Sequence, residues 1–244
     1  MTVRVSAPAK LTIELRITGV RADGYHLIDA EMVTLELADT LRIDAADDRL
    51  HATGRYCDGV PLGADNLVAQ ALSLVGRTAG ITIDKQIPHG GGLGGGSADA
   101  AAVLRWSGFT DLVAAARLGA DVAFCLVGGR ARVRGIGEIV EPLPPLADPV
   151  RYTLVIPPLS CSTPAVYRAW DDLGGPRGEG PNDLLPAALV VEPRLVEWRD
   201  RIGDHTGIEP MLAGSGATWF LPGHHPTLVA RLPDANIVLT RTTA

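Results

Sequence analysis

Lysine is almost missing from this chain. Of its 22 basic residues only Lys10 and Lys85 are lysine, and the other 20 are arginine. Arginine serves wherever a generic cation suffices, so the two lysines are expected where a compact ammonium is needed rather than a planar fork. Cysteine is scarce as well. Cys57, Cys125 and Cys161 are widely spaced, odd in number and in no C-x-x-C pair, which gives no disulfide framework and no zinc site. Basic blocks are absent and the net charge is −6, a poor basis for gripping nucleic-acid phosphates. Long apolar runs are absent too. The longest stretch free of Asp, Glu, Lys and Arg, Pro210 to Ala230, holds three prolines, three glycines and two histidines, which excludes a membrane span. The opening MTVRVSAPAK has no apolar signal-peptide core. The expectation is a cytoplasmic protein that meets small molecules, not nucleic acid or membrane.

What is present is a globular composition: 244 residues, 46% of them apolar, enough for one large domain or two modest ones. Val3–Val5 and Lys10–Ile17 read as strands, the second alternating with period two. Met32–Leu37 and Thr40–Ile43 read as two more, with Ala38-Asp39 as a hairpin turn between them. Asn66–Arg77 has helical spacing, and Ile81–Ile83 is a short strand. A helix is expected after Pro88, capped by Ser97 with Asp99 complementing its dipole. A second is expected from Thr110 to Leu118. Ala131–Arg134 and Arg151–Ile156 read as strands on either side of the proline-rich run Pro142–Pro149, a domain boundary in composition. Helices are expected near Ala165–Asp172, Asp183–Val191, Pro193–Ile202 and Leu228–Leu232. A glycine turn, Gly214-Ser215-Gly216, precedes another strand, and Ala235–Thr240 closes the chain. The pattern predicts two α+β halves, 1–149 and 150–244.

The strongest local signal is Pro88-His89-Gly90-Gly91-Gly92-Leu93-Gly94-Gly95-Gly96-Ser97, six glycines in seven positions running into an alanine-rich helix. Glycine lets backbone approach an anion closely, and a helix start offers free N–H groups and a positive dipole end. A polyphosphate fits such a loop. It lacks the Gly-Lys-Ser/Thr ending of a Walker A and the acidic second strand end of a Rossmann fingerprint. Asp121, between Gly119-Ala120 and the apolar VAFCLV, is a carboxylate at the mouth of a buried segment that needs a partner or a function. Lys10 stands just inside the first long strand.

In this order APAKLTIEL, RADGYH, PHGGGLGGGSADAA, GADVAF, GIGE and LAGSGAT resemble the GHMP superfamily of small-molecule kinases over nearly the whole chain. RADGYH points within it to the branch acting on a diphosphocytidyl-linked methylerythritol of the non-mevalonate isoprenoid route. The resemblance implies a two-domain α+β fold: an N-terminal mixed sheet with helices, like domain 2 of ribosomal protein S5, and a C-terminal ferredoxin-like α/β sandwich. It implies ATP as donor, Mg2+ with it, and the C2 hydroxyl of the methylerythritol as acceptor. Asp121 would be the base on that hydroxyl, with Lys10 contacting both. Tyr25 and His26 would hold the cytosine. Pro88, Gly90, Gly91, Gly92, Leu93, Gly94, Gly95, Gly96 and Ser97 would wrap the ATP phosphates, with Asn66 and Lys85 nearby. Thr12, Thr163 (in Ser162-Thr163…Tyr167), Gly214 and Ser215 would line the substrate side. For the metal the sequence offers no convincing ligand pair, Ser97 and Glu138 being weak candidates, and a monomer or weak homodimer is expected. The chain departs from the family pattern at Thr12 (usually Asn), Ala98 (usually Ser), Ala123 (usually Pro) and in the short link Ser107-Gly108-Phe109. A sister kinase for homoserine or mevalonate would keep the glycine loop but not RADGYH, and an impaired nucleotide-binding paralogue would account for the departures.

Overall fold

The computed structural model describes residues 2–178 and 180–243. Its first two strands, β1 (Thr2–Val20) and β2 (His26–Asp44), are 19 residues each and pair antiparallel along their length. The sequence pattern had divided each of them in two. In β1 the apparent break is Pro8, which has no N–H for the ladder but stays in the strand because the register shifts between Pro8 and Lys10. That bulge turns the Lys10 N–H out of the ladder to donate to Leu93 O at 3.1 Å. In β2 the expected Ala38-Asp39 turn does not exist. Both residues pair with β1, and Asp39 is fully buried because its carboxylate has partners far along the chain.

Strand β2 is the centre of a six-stranded sheet. Its other edge takes β4 (Gly80–Asp84) at one end and β5 (Arg130–Gly135) at the other, extended by β3 (Leu50–Thr53), parallel to β4, and by β6 (Ile139–Pro142). Helices α1 (Leu67–Leu74), α2 (Gly95–Ser107), α3 (Leu112–Leu118) and α4 (Val122–Val127) complete this half. Helix α2 packs on β1 and β2 and is buried from Ala98 to Leu104, which is why it is built of alanine and carries so little side-chain bulk. Its cap is not Ser97 but Gly94, at φ 68°, a left-handed conformation glycine adopts without strain; Ser97 falls in the first turn. Likewise Asp111, not Thr110, caps α3 by accepting from Ala114 N at 3.0 Å.

The second half holds β7 (Arg151–Ile156), α5 (Thr163–Asp172), α6 (Leu185–Val191), α7 (Leu195–Thr206), β8 (Met211–Leu212), β9 (Trp219–Pro222), α8 (Leu228–Arg231) and β10 (Asn236–Arg241). Its strands form an antiparallel sheet in the order β10-β7-β9-β8. The two sheets part between Pro142 and Arg151. Their hydrophobic cores exchange residues: Leu15 and Ile17 of β1 pack in the second, while Tyr152, Leu154 and Phe220 pack in the first. No helix among the described residues is long and apolar enough to cross a membrane.

Candidate active site

A cavity of about 310 Å³ opens where the glycine loop meets Val60–Leu67, Asp121 and Thr163. Four elements meet beside it. Strand β1 supplies Lys10, only 5% exposed, whose Nζ stands 3.2 Å from Asp121 Oδ2 and donates to Thr12 Oγ1 at 3.1 Å. Asp121 begins α4; its carboxylate makes no capping bond to that helix and is free to face Lys10. The glycine loop passes directly over this pair. A Cβ on Gly94 would lie 2.8 Å from Lys10 Cγ and 3.6 Å from Asp121 Oδ2, so no larger residue fits there. The fourth element is the turn Gly214-Ser215-Gly216 of the second half. Lys10 Nζ is 3.6 Å from the Cβ position of Gly214, and Ser215 Oγ hydrogen-bonds Thr163 Oγ1 at 2.8 Å.

The loop rests on the segment before β9. A Cβ on Gly92 would stand 2.1 Å from Ala213 O, and Thr218 N donates to Gly91 O at 3.3 Å. No sequence signal marks Thr218, yet its buried Oγ1, without a hydrogen-bond partner among the described residues, is 2.8 Å from the Cβ position of Gly91. The sequence reading also missed Asn182. It is buried and donates to Leu212 O at 3.0 Å and Gly214 O at 2.7 Å, which fixes the turn beside Lys10. Its Oδ1 accepts locally from Leu184 N at 2.9 Å, but the Nδ2 contacts that fix the turn reach backbone 30 and 32 residues away, and no local pattern marks those.

The other lysine lines the cavity itself, together with Asp99, but is held differently. Lys85 follows β4 and is buried, with Nζ bonded to Asp39 and, at 2.7 Å, to Asp99. Asp39 also accepts from Gln86 N and Ile87 N, at 2.5 and 2.8 Å, and thereby ties the entry of the loop to β2. The ammonium thus lies beneath Gly95, 3.3 Å from its Cβ position, and is engaged by two carboxylates. Burial opposes its charge, but Asp99 and Asp39 outweigh burial and its pKa is raised. Two carboxylates on one ammonium leave a negative charge in excess. Asp99 bears the consequence: burial, together with the charge of Asp39, pushes its carboxyl upward against the pull of Lys85. Both partners are thus displaced upward, and the burden falls on the carboxylate because Lys85 has two anions to Asp99's one cation. The Oδ1 of Asp99 is buried and unpartnered among the described residues.

Of the remaining expected residues, Pro88, Gly90, Gly96 and Ser97 line the cavity. Asn66 lines it too, but its polar atoms are engaged: Oδ1 caps α1 at Val68 N (2.8 Å) and Nδ2 donates to Pro61 O (2.6 Å). Tyr25 is 60% exposed and borders a separate cavity with Arg21, Arg117 and Glu138. His26, its neighbour, instead packs against α5. Glu138 accepts from Ile136 N at 2.6 Å and lies on the Tyr25 side, away from the glycine loop.

A glycine loop feeding a buried helix, a Lys–Asp pair under it and a second glycine turn closing over them define a GHMP kinase, and the family model for the GHMP kinases N terminal domain matches residues 63–129. The 4-diphosphocytidyl-2-C-methyl-D-erythritol kinase of Paracoccus denitrificans is 38% identical over 89% of this chain and 85% of its own. That of Jannaschia sp. is 42% identical over 90% and 88%. A crystal structure of 4-(cytidine 5'-diphospho)-2C-methyl-D-erythritol kinase superposes with TM-score 0.77 at 31% identity, covering 99% of this chain and 100% of that one. The chain belongs to the 4-diphosphocytidyl-2-C-methyl-D-erythritol kinase family.

Proposed function

We propose that this chain transfers the γ-phosphoryl group of ATP to the C2 hydroxyl of 4-diphosphocytidyl-2-C-methyl-D-erythritol. The observation that carries the reading is the Lys10–Asp121 pair, 3.2 Å apart and lying directly beneath Gly94 of the glycine loop. Phosphoryl transfer asks little covalent chemistry of a protein and much positioning and charge stabilisation. Asp121 accepts the proton of the acceptor hydroxyl late in the step. Lys10 places a compact positive charge between that carboxylate and the site where charge develops on the transferred group. Thr12 Oγ1 and the Gly214 turn, held by Asn182, set the direction of the ammonium.

The loop suits a polyphosphate on this structure's own terms. Gly92 and Gly94 bring backbone to within a Cβ's reach of their neighbours, and Gly95, Gly96 and Ser97, in the first turn of α2 where N–H groups lack helical partners, line the cavity. Lys85 is proposed to act from below, by holding Asp39, Asp99 and the loop's entry, and Asn66 by shaping the Pro61–Asn66 wall. Mg2+ is proposed to arrive with ATP, where it supplies charge neutralisation on the phosphates. The described residues include no group of three His, Cys, Asp or Glu arranged to hold a metal, and no step here is routed through it.

The test is ADP release measured with the diphosphocytidyl substrate, homoserine and mevalonate side by side. Turnover with the first alone supports the reading. Turnover with either of the others makes the chain a sister kinase, and ATP binding without any turnover makes it an impaired paralogue.

A further inference from the structure

Helix α5 begins at the active site and ends at His26. Thr163 borders the cavity under the glycine loop, and Thr163, Tyr167, Trp170 and Asp171 stand at i, i+4, i+7 and i+8, along one face of the helix. From Thr163 to Asp171 the face runs for about 12 Å, a span suited to a handle that joins a reacting alcohol to a distant base. At its far end the His26 ring is tilted against Tyr167 at 4.7 Å and set edge-on to Trp170 at 5.4 Å. Its Nε2 lies 2.8 Å from Asp171 Oδ1. Nδ1 has no hydrogen-bond partner among the described residues, and unlike the orphaned atoms beneath the glycine loop it is not sealed in the interior.

An ionised carboxylate can only accept a hydrogen bond, so the hydrogen in the His26–Asp171 bond belongs to Nε2. In a neutral imidazole the other nitrogen is then an acceptor and nothing else. Cytosine offers one donor on its edge, the 4-amino group. Uracil carries at the same position an oxygen, which is an acceptor and would meet the Nδ1 lone pair head-on. With His26 on the cytosine, as the family resemblance implies, we infer that Asp171 is a positioning residue for base specificity: by fixing His26 as the Nε2–H tautomer it leaves Nδ1 able only to accept, which suits the 4-amino group of cytosine and turns uracil away. The inference rests on the functional reading above and assigns its base discrimination to a residue outside the reacting pair. Asp171 is half exposed and its removal opens no core cavity, so a variant there remains folded.

The experiment has two arms, both on the full chain at about pH 8, above the usual imidazole range. In the first, 15N-labelled histidine is read by long-range 1H–15N correlation in the free protein and in Asp171→Ala. The wild type is expected to show His26 as Nε2–H, and the variant a mixture of tautomers. In the second, a non-hydrolysable ATP analogue fills the phosphate loop and cytidine and uridine 5'-diphosphates are titrated by calorimetry. The wild type is expected to prefer the cytidine nucleotide by at least ~10-fold. Asp171→Ala is expected to bring the two near parity while ATP-analogue affinity and thermal stability stay put. An Nδ1–H or doubly protonated His26 in the wild type, or a cytidine preference that survives in Asp171→Ala, overturns the assignment and leaves the functional reading standing. A wild type that binds neither pyrimidine nucleotide overturns both.

Discussion

Replacing Lys10 by arginine tests the active site most sharply, because arginine occupies every other basic position but Lys85. A surface cation would tolerate the exchange. Lys10 is 5% exposed, and its stem and head are bounded by Gly94, Asp121, Thr12 and Gly214, with ammonium contacts of 3.1 Å to Thr12 and 3.2 Å to Asp121. A guanidinium is longer, planar and directional. To fit, it must push the Asp121 carboxylate or occupy the place of the acceptor hydroxyl, a displacement of about 1 Å at the reacting centre, which costs ~10²-fold in rate. That factor corresponds to about 2.7 kcal/mol of transition-state stabilisation. The assay is steady-state ADP release with saturating ATP, beside calorimetric ATP affinity and thermal unfolding. The expectation is kcat lowered by at least ~10²-fold, with ATP affinity held within a few-fold because the loop itself is intact. Arg199→Lys is the control. Among the described residues Arg199 pairs only with its neighbour Asp200, on the surface, and the exchange is expected to be silent. Full activity in Lys10→Arg would refute the reasoning, and lysine scarcity would then be a matter of composition alone.

Asp121→Asn keeps size and shape but cannot take the hydroxyl proton, so turnover falls at least ~10²-fold while ATP still binds by calorimetry; a near-normal rate removes Asp121 from the base role. Tyr25→Ala weakens cytidyl-substrate binding by about 1–3 kcal/mol if the ring stacks on the base, and because Tyr25 is 60% exposed the melting temperature stays unchanged. A lowered melting temperature with unchanged KM would make Tyr25 a packing residue instead. The Asp39–Lys85–Asp99 cluster gives a pH dependence. The folded state holds the Asp99 proton more tightly than the unfolded chain does, so it binds more protons above the usual carboxylate range and stability falls as pH rises. Melting temperatures taken from about pH 5 to about pH 8 are expected to decline in the wild type and to decline less in Asp99→Asn; parallel curves would assign the slope to other groups.

The elements that could be read from the sequence are those whose signals are local. The strand Arg151–Ile156 and the helices near Thr163 and Leu228 depend on their own periodicity, and the glycine loop on its own composition. Lys10 and Asp121 were visible as a pair only through the order of motifs, since they stand 111 positions apart and strand β1 alone does not say what faces it. The failures have a common cause. Ala38-Asp39 looks like a turn because an aspartate inside a strand is unfavourable unless its charge is met, and the residues that meet it, Lys85, Gln86 and Ile87, lie more than 45 positions away. Ser97 was expected to cap because serine caps well, yet the loop needs its left-handed residue at Gly94 and the helix starts there. Asn182 and Thr218 act on backbone from another part of the chain and leave no periodic trace.

The exchange of residues between the two cores has a consequence for how the chain can be divided. Strand β1 carries Lys10 midway, and a few positions on it sends Leu15 and Ile17 into the core of the other half. Asp183 takes the Ile17 N–H at 2.9 Å, and Leu15 exchanges backbone hydrogen bonds with Pro181 and Asp183. A fragment cut in the proline-rich run would therefore carry two bare aliphatic side chains and an unpaired stretch of strand into water. The piece left behind would keep the Gly214 turn but lose the strand that Asn182 and Asp183 lean on. The two halves are expected to unfold as one, and the lysine proposed to serve the reaction sits on the strand that joins them.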